Sequence, residues 1–171
     1  MKPFIAIIEG PMGSGKSTIG ALVHKKLKRA ALLSTDRIKW FISDFERGKR
    51  DNKITAKVMY AMVEEYLNQG ISVLIAQGFW RKEYVDPYIK LAKEKNIDLF
   101  MYELEAPREV LLDRIQKRGK VDEARLPVPK ERILKNLDTW RQNRYGIEKV
   151  FDTSKQDPEE VARYILKELK P

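Results

Sequence analysis

Gly10-Pro11-Met12-Gly13-Ser14-Gly15-Lys16-Ser17 fits the spacing G-x-x-x-x-G-K-[ST], and each residue type in it suits contact with phosphate. Gly10, Gly13 and Gly15 can take positive φ and let the backbone approach a ligand with no Cβ in the way. Pro11, Met12, Ser14 and, after Ser17, Thr18 complete a loop whose successive N–H groups form an anion-binding nest at a helix start. Lys16 has the reach to meet β- and γ-phosphates, and the Ser17 hydroxyl is suited to Mg²⁺. The competing reading is a glycine-rich turn that matches by accident, expected in roughly one chain of this length in a hundred or fewer.

Such a loop works only between a buried strand and a helix. Phe4-Ile5-Ala6-Ile7-Ile8 is a continuous apolar run rich in β-branched residues, as a strand covered on both faces requires. Beyond Lys16, Ile19, Leu22, Val23 and Leu27 recur at helical spacing, with Lys25, Lys26 and Lys28 on the other side. Further along, strand-like and helix-like segments alternate. Strands are expected over 30–34, 71–76, 97–104 and 150–151, and helices over about 37–45, 55–67, 83–95, from 106 onward, from 129 to about 145, and 157–169. A loop over 47–51 separates the second and third helices. Asp157 is the expected N-cap of the last helix, with Pro158 at N1. This alternation predicts an α/β fold, a parallel five-stranded sheet sandwiched between helices, forming one domain over residues 1–171. Ligands in such sheets sit at the carboxyl ends of the strands, which gathers the loop 10–17, Asp36, Gln77 and the segment after Leu104 at one edge.

Composition bounds the chemistry. The chain has no cysteine, which excludes disulfides, thiolate metal sites and cysteine nucleophiles. No apolar stretch approaches a membrane span of about 20 residues, and the first apolar run is too short for a signal peptide, so no membrane partner and a cytoplasmic location are expected. The net charge of +9 suits polyanionic partners, nucleotides or nucleic acid, while charged residues at 35% of the chain also fit a densely solvated surface. Both readings stay open, because the excess charge is spread along the sequence.

Gly10–Thr18, Leu33-Ser34-Thr35-Asp36-Arg37 and Arg114-x-x-x-Arg118 together resemble the P-loop kinases of small substrates. The similar groups are the kinase domain of polynucleotide kinase, the chloramphenicol phosphotransferase and zeta-toxin group, and the gluconate kinases. Arg125-Leu126-Pro127-Val128-Pro129 and Phe151-Asp152-Thr153-Ser154 are also similar to polynucleotide kinase. The resemblance implies ATP and Mg²⁺ as ligands and transfer of the γ-phosphoryl group to a hydroxyl. It further implies that Asp36 is the general base, and that Arg114 and Arg118 belong to a lid over about 114–132, one packing on adenine and the other clamping phosphates.

The residues themselves leave alternatives. Asp36 could instead be the N-cap of the helix after it. Arg114 and Arg118 could form a solvated basic face, and Arg125 and Arg132 are weaker lid candidates. Polynucleotide kinase has a phosphate-binding arginine three residues after the aspartate, where this chain has Lys39. The third strand ends in Gln77, where a carboxylate organising Mg²⁺ is usual; Gln77 can still hydrogen-bond a water or an acceptor hydroxyl. Arg81 is placed for the acceptor, Trp80 for stacking on a ring or for the core, and His24 receives no role. Three functions follow: a kinase of a small hydroxyl compound, a polynucleotide 5′-hydroxyl kinase, and a nucleotide-binding switch or toxin-like module with little turnover. No N-K-x-D segment for guanine occurs.

Overall fold

The computed structural model describes residues 2–46, 48–79, 81–119 and 130–169. Trp80, Arg125 and the polar loop expected after Gly119 lie outside the described residues. Five strands, β1 (Ile5–Glu9), β2 (Ala30–Leu33), β3 (Ser72–Ala76), β4 (Leu99–Glu105) and β5 (Val150–Asp152), form one sheet in the order β2-β3-β1-β4-β5. Every pairing is parallel. β1 is the central strand, which explains its unbroken apolar run: it has helices on both faces and strands on both sides.

The pleat sends alternate residues to two cores. Ile5, Ile7, Val73 and Ile75 pack with α2 (Thr35–Lys39), α3 (Lys49–Asn68) and α4 (Asp86–Lys95). Ala6, Ile8, Leu74, Tyr102 and Leu104 pack with α1 (Lys16–Lys26) and α7 (Pro158–Leu169). Each fully buried isoleucine of β1 contributes about 1.5–3 kcal/mol relative to exposure. A third, smaller cluster sits at the carboxyl edge. There Leu111 of α5 (Arg108–Gly119) and Ile133 and Leu137 of α6 (Lys130–Gln142) enclose Met12 of the glycine loop. The two edge helices therefore grip that loop directly.

Asp157 caps α7, its carboxylate accepting from Glu159 N at 2.8 Å, with Pro158 in the first turn. Two helices depart from expectation. The helix expected over 37–45 is the single short α2, which starts two residues earlier and gives way to turns after Lys39. Its N-cap is Ser34, so Asp36 lies inside the first turn and is not the cap. The segment expected as a loop over 47–51 instead opens α3 at Lys49. The buried Asp51 carboxylate accepts from Glu46 N at 2.9 Å and turns the incoming chain onto the helix.

Candidate active site

The loop between β1 and α1 has little freedom. At Gly10 (φ 150°) a Cβ would stand 2.3 Å from Leu104 O, and at Gly13 (φ 86°) one would stand 2.9 Å from Leu111 O. Glycine is required at both, because backbone from β4 and α5 occupies the space a side chain needs. Gly15 is the N-cap of α1, and no side chain caps that end. Orphan N–H groups of the first turn are thus left for a ligand, at the positive end of the helix dipole. Ser17 and Thr18 are exposed there, and the Ser14 hydroxyl is buried without a hydrogen-bond partner among the described residues.

Lys16 Nζ donates to Pro11 O at 2.7 Å, so its side chain folds back over the loop. Burial pulls its pKa down to about 8, against the opposing charges of Asp36 and Glu9. Asp36 has the larger effect of those two charges, although its carboxylate makes no hydrogen bond or ion pair with Lys16 among the described residues. The Asp36 side chain is 78% exposed and pairs with Lys39 Nζ at 3.1 Å. Lys39 also lies over the Phe45 ring, 5.4 Å from its centroid.

Gln77 is tied to the same corner. Its Oε1 accepts from Thr35 N at 3.0 Å and Thr35 Oγ1 at 2.8 Å, and its Nε2 donates to Gly78 O at 3.2 Å. The amide that stands in the usual acidic place fixes the start of α2, and so the position of Asp36. Arg81 is exposed just ahead of a short 3₁₀ turn over Lys82–Tyr84.

Arg114 and Arg118 part company. Arg114 is half-buried and donates to Thr153 O at 2.7 Å, Thr153 Oγ1 at 2.9 Å and Gly13 O at 3.4 Å. It joins α5 to the turn after β5 and to the phosphate loop. Arg118, one turn on, is exposed.

Sequence reasoning missed an acidic group under the loop. Glu9 ends β1 and stands opposite Glu103 of β4; both are buried. Arg144 bonds Glu103 and reaches Glu105 at 3.1 Å. Burial, then the Glu103 charge, push Glu9 up to about 7, while Lys16 and Arg144 pull it down. The available signal was a lone carboxylate closing an otherwise apolar run, directly before Gly10.

The AAA domain family matches residues 5–163, and the chain belongs to that family. No curated protein matches the sequence. Among solved structures, a sugar kinase from Janibacter is 18% identical with a TM-score of 0.69, over 99% of this chain and 95% of that one. The APS kinase of Mycobacterium tuberculosis, in complex with AMPPNP and APS, is 16% identical with a TM-score of 0.69 over 99% of each chain. A chain of the Pnkp1/Rnl/Hen1 RNA repair complex is 20% identical with a TM-score of 0.71, over 85% of this chain and 46% of that one. At these identities the likeness shows the fold: the P-loop kinase architecture that the motifs resemble.

Proposed function

We propose that the chain is an ATP-dependent phosphotransferase that moves the γ-phosphoryl group to a hydroxyl of a small non-protein substrate. The observation that carries this reading is the loop geometry: Gly10 and Gly13 leave no room for a Cβ, the start of α1 beside Lys16 has no side-chain cap, and Asp36 follows β2 at the same sheet edge. Residues Gly10 to Thr18 cradle the phosphates with backbone N–H groups, and Lys16 neutralises the transferring group. Asp36 gives up Lys39, accepts the acceptor's hydroxyl proton, and the freed oxygen bonds Pγ as the bond from Pγ to the β-phosphate oxygen breaks. Lys39, Arg81 and Gln77 border the acceptor. Arg118 supplies charge to the transition state, and Arg114 sets the nucleotide side of the loop.

The donor set fits Mg²⁺, since the Ser17 hydroxyl and, toward the ion's waters, the Asp36 carboxylate are oxygen ligands suited to a hard cation. A Mg²⁺ ion held there would supply positive charge to the phosphates. The test is incubation of a panel of hydroxyl compounds with labelled ATP and Mg²⁺. Transfer to one of them by the parent, and its loss in Lys16→Ala with ATP affinity lost too, is the expected result. Unchanged affinity and turnover in Lys16→Ala would overturn the reading.

A second reading, a polynucleotide 5′-hydroxyl kinase, is favoured by Trp40 and Phe41. They are 56% and 78% exposed immediately after Lys39, where bases could stack, on a chain of net charge +9. A 5′-hydroxyl oligonucleotide would then bind with a log–log salt slope of roughly −0.7 per phosphate contacted. Absence of binding at low salt excludes it.

A further inference from the structure

Gln77 stands just past β3, where an acidic residue is usual, and the protein itself uses nearly all of its amide. β2 and β3 pair in the register Leu33↔Ile75, which carried two residues further sets Thr35 beside Gln77. Gln77 Oε1 accepts from Thr35 N at 3.0 Å and from Thr35 Oγ1 at 2.8 Å, which occupies both of its lone pairs. Thr35 N can only donate, so the amide is oriented with its oxygen there. Gln77 Nε2 donates to Gly78 O at 3.2 Å, and one N–H is left over. An amide so engaged has no oxygen lone pair to offer a metal ion or an acceptor's hydroxyl.

What these bonds hold is α2. A helix of five residues is too short to persist alone, because its ordering cost is offset by very few internal hydrogen bonds. Its N-cap, Ser34, makes no side-chain cap bond among the described residues, so the first turn lacks the usual local partner. Two tertiary anchors replace it. Ile38, 4% exposed, seats the helix in the core, and Gln77 fastens its first residue from the neighbouring strand. Asp36 is the next residue along. Fixing Thr35 at both its N–H and its hydroxyl therefore fixes the direction in which Asp36 leaves the backbone.

We propose that Gln77 is a positioning residue for phosphoryl transfer: it acts through Thr35 to aim Asp36 at the acceptor, and not by contact with the acceptor or a metal ion. The proposal rests on the reading that Asp36 takes the acceptor's proton. An amide suits this task better than the usual carboxylate. A glutamate could still accept from Thr35, but it would set an oxygen against Gly78 O where Nε2 now donates. It would also bring a second negative charge to the corner that Asp36 occupies.

The experiment is a double-mutant cycle on the full chain. It is read by single-turnover transfer from labelled ATP, with Mg²⁺, to the hydroxyl compound of the panel above that the parent phosphorylates fastest. Gln77→Ala should lower that rate about 10–10²-fold, the scale of a small misplacement of a reacting group, and lower MgATP affinity far less. On top of Asp36→Asn the same substitution should cost almost nothing more, because the carboxylate it serves is gone. Thr35→Val, which removes the Oγ1 bond at nearly constant volume, should give a smaller loss with the same dependence on Asp36. It carries the cycle if Gln77→Ala fails to fold by far-UV circular dichroism. Amide hydrogen exchange at Thr35, followed by NMR without nucleotide, should quicken in Gln77→Ala. Equal fold losses with and without Asp36→Asn, a Gln77→Ala rate equal to the parent's, or unchanged exchange at Thr35 overturns the inference alone. A parent that transfers to no compound, or an Asp36→Asn variant as fast as the parent, overturns the proposed function and this inference with it.

Discussion

Asp36 carries the transfer step in the proposed function, and its environment makes a separable prediction. It lies in the first turn of α2 without capping it, so Asp36→Asn keeps the shape and gives up at most about 0.3–1 kcal/mol of helix-dipole interaction. ATP affinity and melting temperature should stay close to the parent. Single-turnover transfer should fall about 10²–10⁴-fold, the usual range for a lost general base. Transfer at the parental rate would leave Asp36 as a first-turn acid with no part in chemistry. At this scale the sequence was legible wherever function depends on local spacing. Gly10, Lys16 and Ser17 announce themselves because one loop must hold them all. Glu9 did not, because its partner is 94 positions away on β4 and only sheet register brings Glu103 beside it. Gln77 was legible as a departure from the acidic norm, but its bonds to Thr35 depend on β2 and β3 being neighbours.

Among the elements, α5 does the most to shape the loop. Its Leu111 carbonyl closes the space over Gly13, and Arg114 fastens it to Thr153. Arg114→Met should cost about 1–3 kcal/mol in chemical denaturation, since it leaves partly buried acceptors without their charged donor, and should also weaken ATP binding. Arg118→Ala, one turn further and exposed, should leave the melting temperature within about 2 °C while lowering turnover. Equal rates at saturating ATP would make Arg118 a solvated surface charge. The contrast between two arginines four residues apart could not be read from helical spacing, which puts both on one side of α5. What separates them is the turn after β5, present under one and not the other. The helix boundaries that went astray, α2 and the start of α3, are likewise set by a distant or irregular contact: Gln77 on Thr35, and Asp51 on the backbone of Glu46.

For the molecule as a whole, the buried charges give stability an unusual pH profile. Glu9 titrates at about 7 in the folded chain against an ordinary value near 4.5, so the folded state holds its proton more tightly than the unfolded one. Its contribution is present below pH 4.5 and is lost as pH rises through 7, an effect on the order of 3 kcal/mol. Lys16, lowered from near 10.5 to about 8, acts in the opposite direction, disfavouring the fold below 8 and ceasing to do so above 10.5. Relative to Glu9→Gln, the parent should therefore melt progressively lower between pH 5 and 7, as followed by thermal scans in the absence of nucleotide. A flat difference across that range would mean that Glu9 is ionised throughout. The α/β class was readable at this scale because alternating patterns leave few arrangements; the strand order was not, since parallel neighbours are chosen by packing far along the chain.

The order β2-β3-β1-β4-β5 also has a bearing on how the protein is made. β1 is made before the other four strands and gains its lateral partners only when β3 and then β4 follow, so its apolar run waits unpaired over that stretch of synthesis. The phosphate loop acquires its wall at Leu104 and its last brace only with Thr153. A nascent chain shorter than that carries the complete glycine motif yet lacks the scaffold that shapes it. Nucleotide capture should consequently appear late and abruptly during translation, and a chaperone that shields Phe4–Ile8 in the interval would raise the yield of active protein.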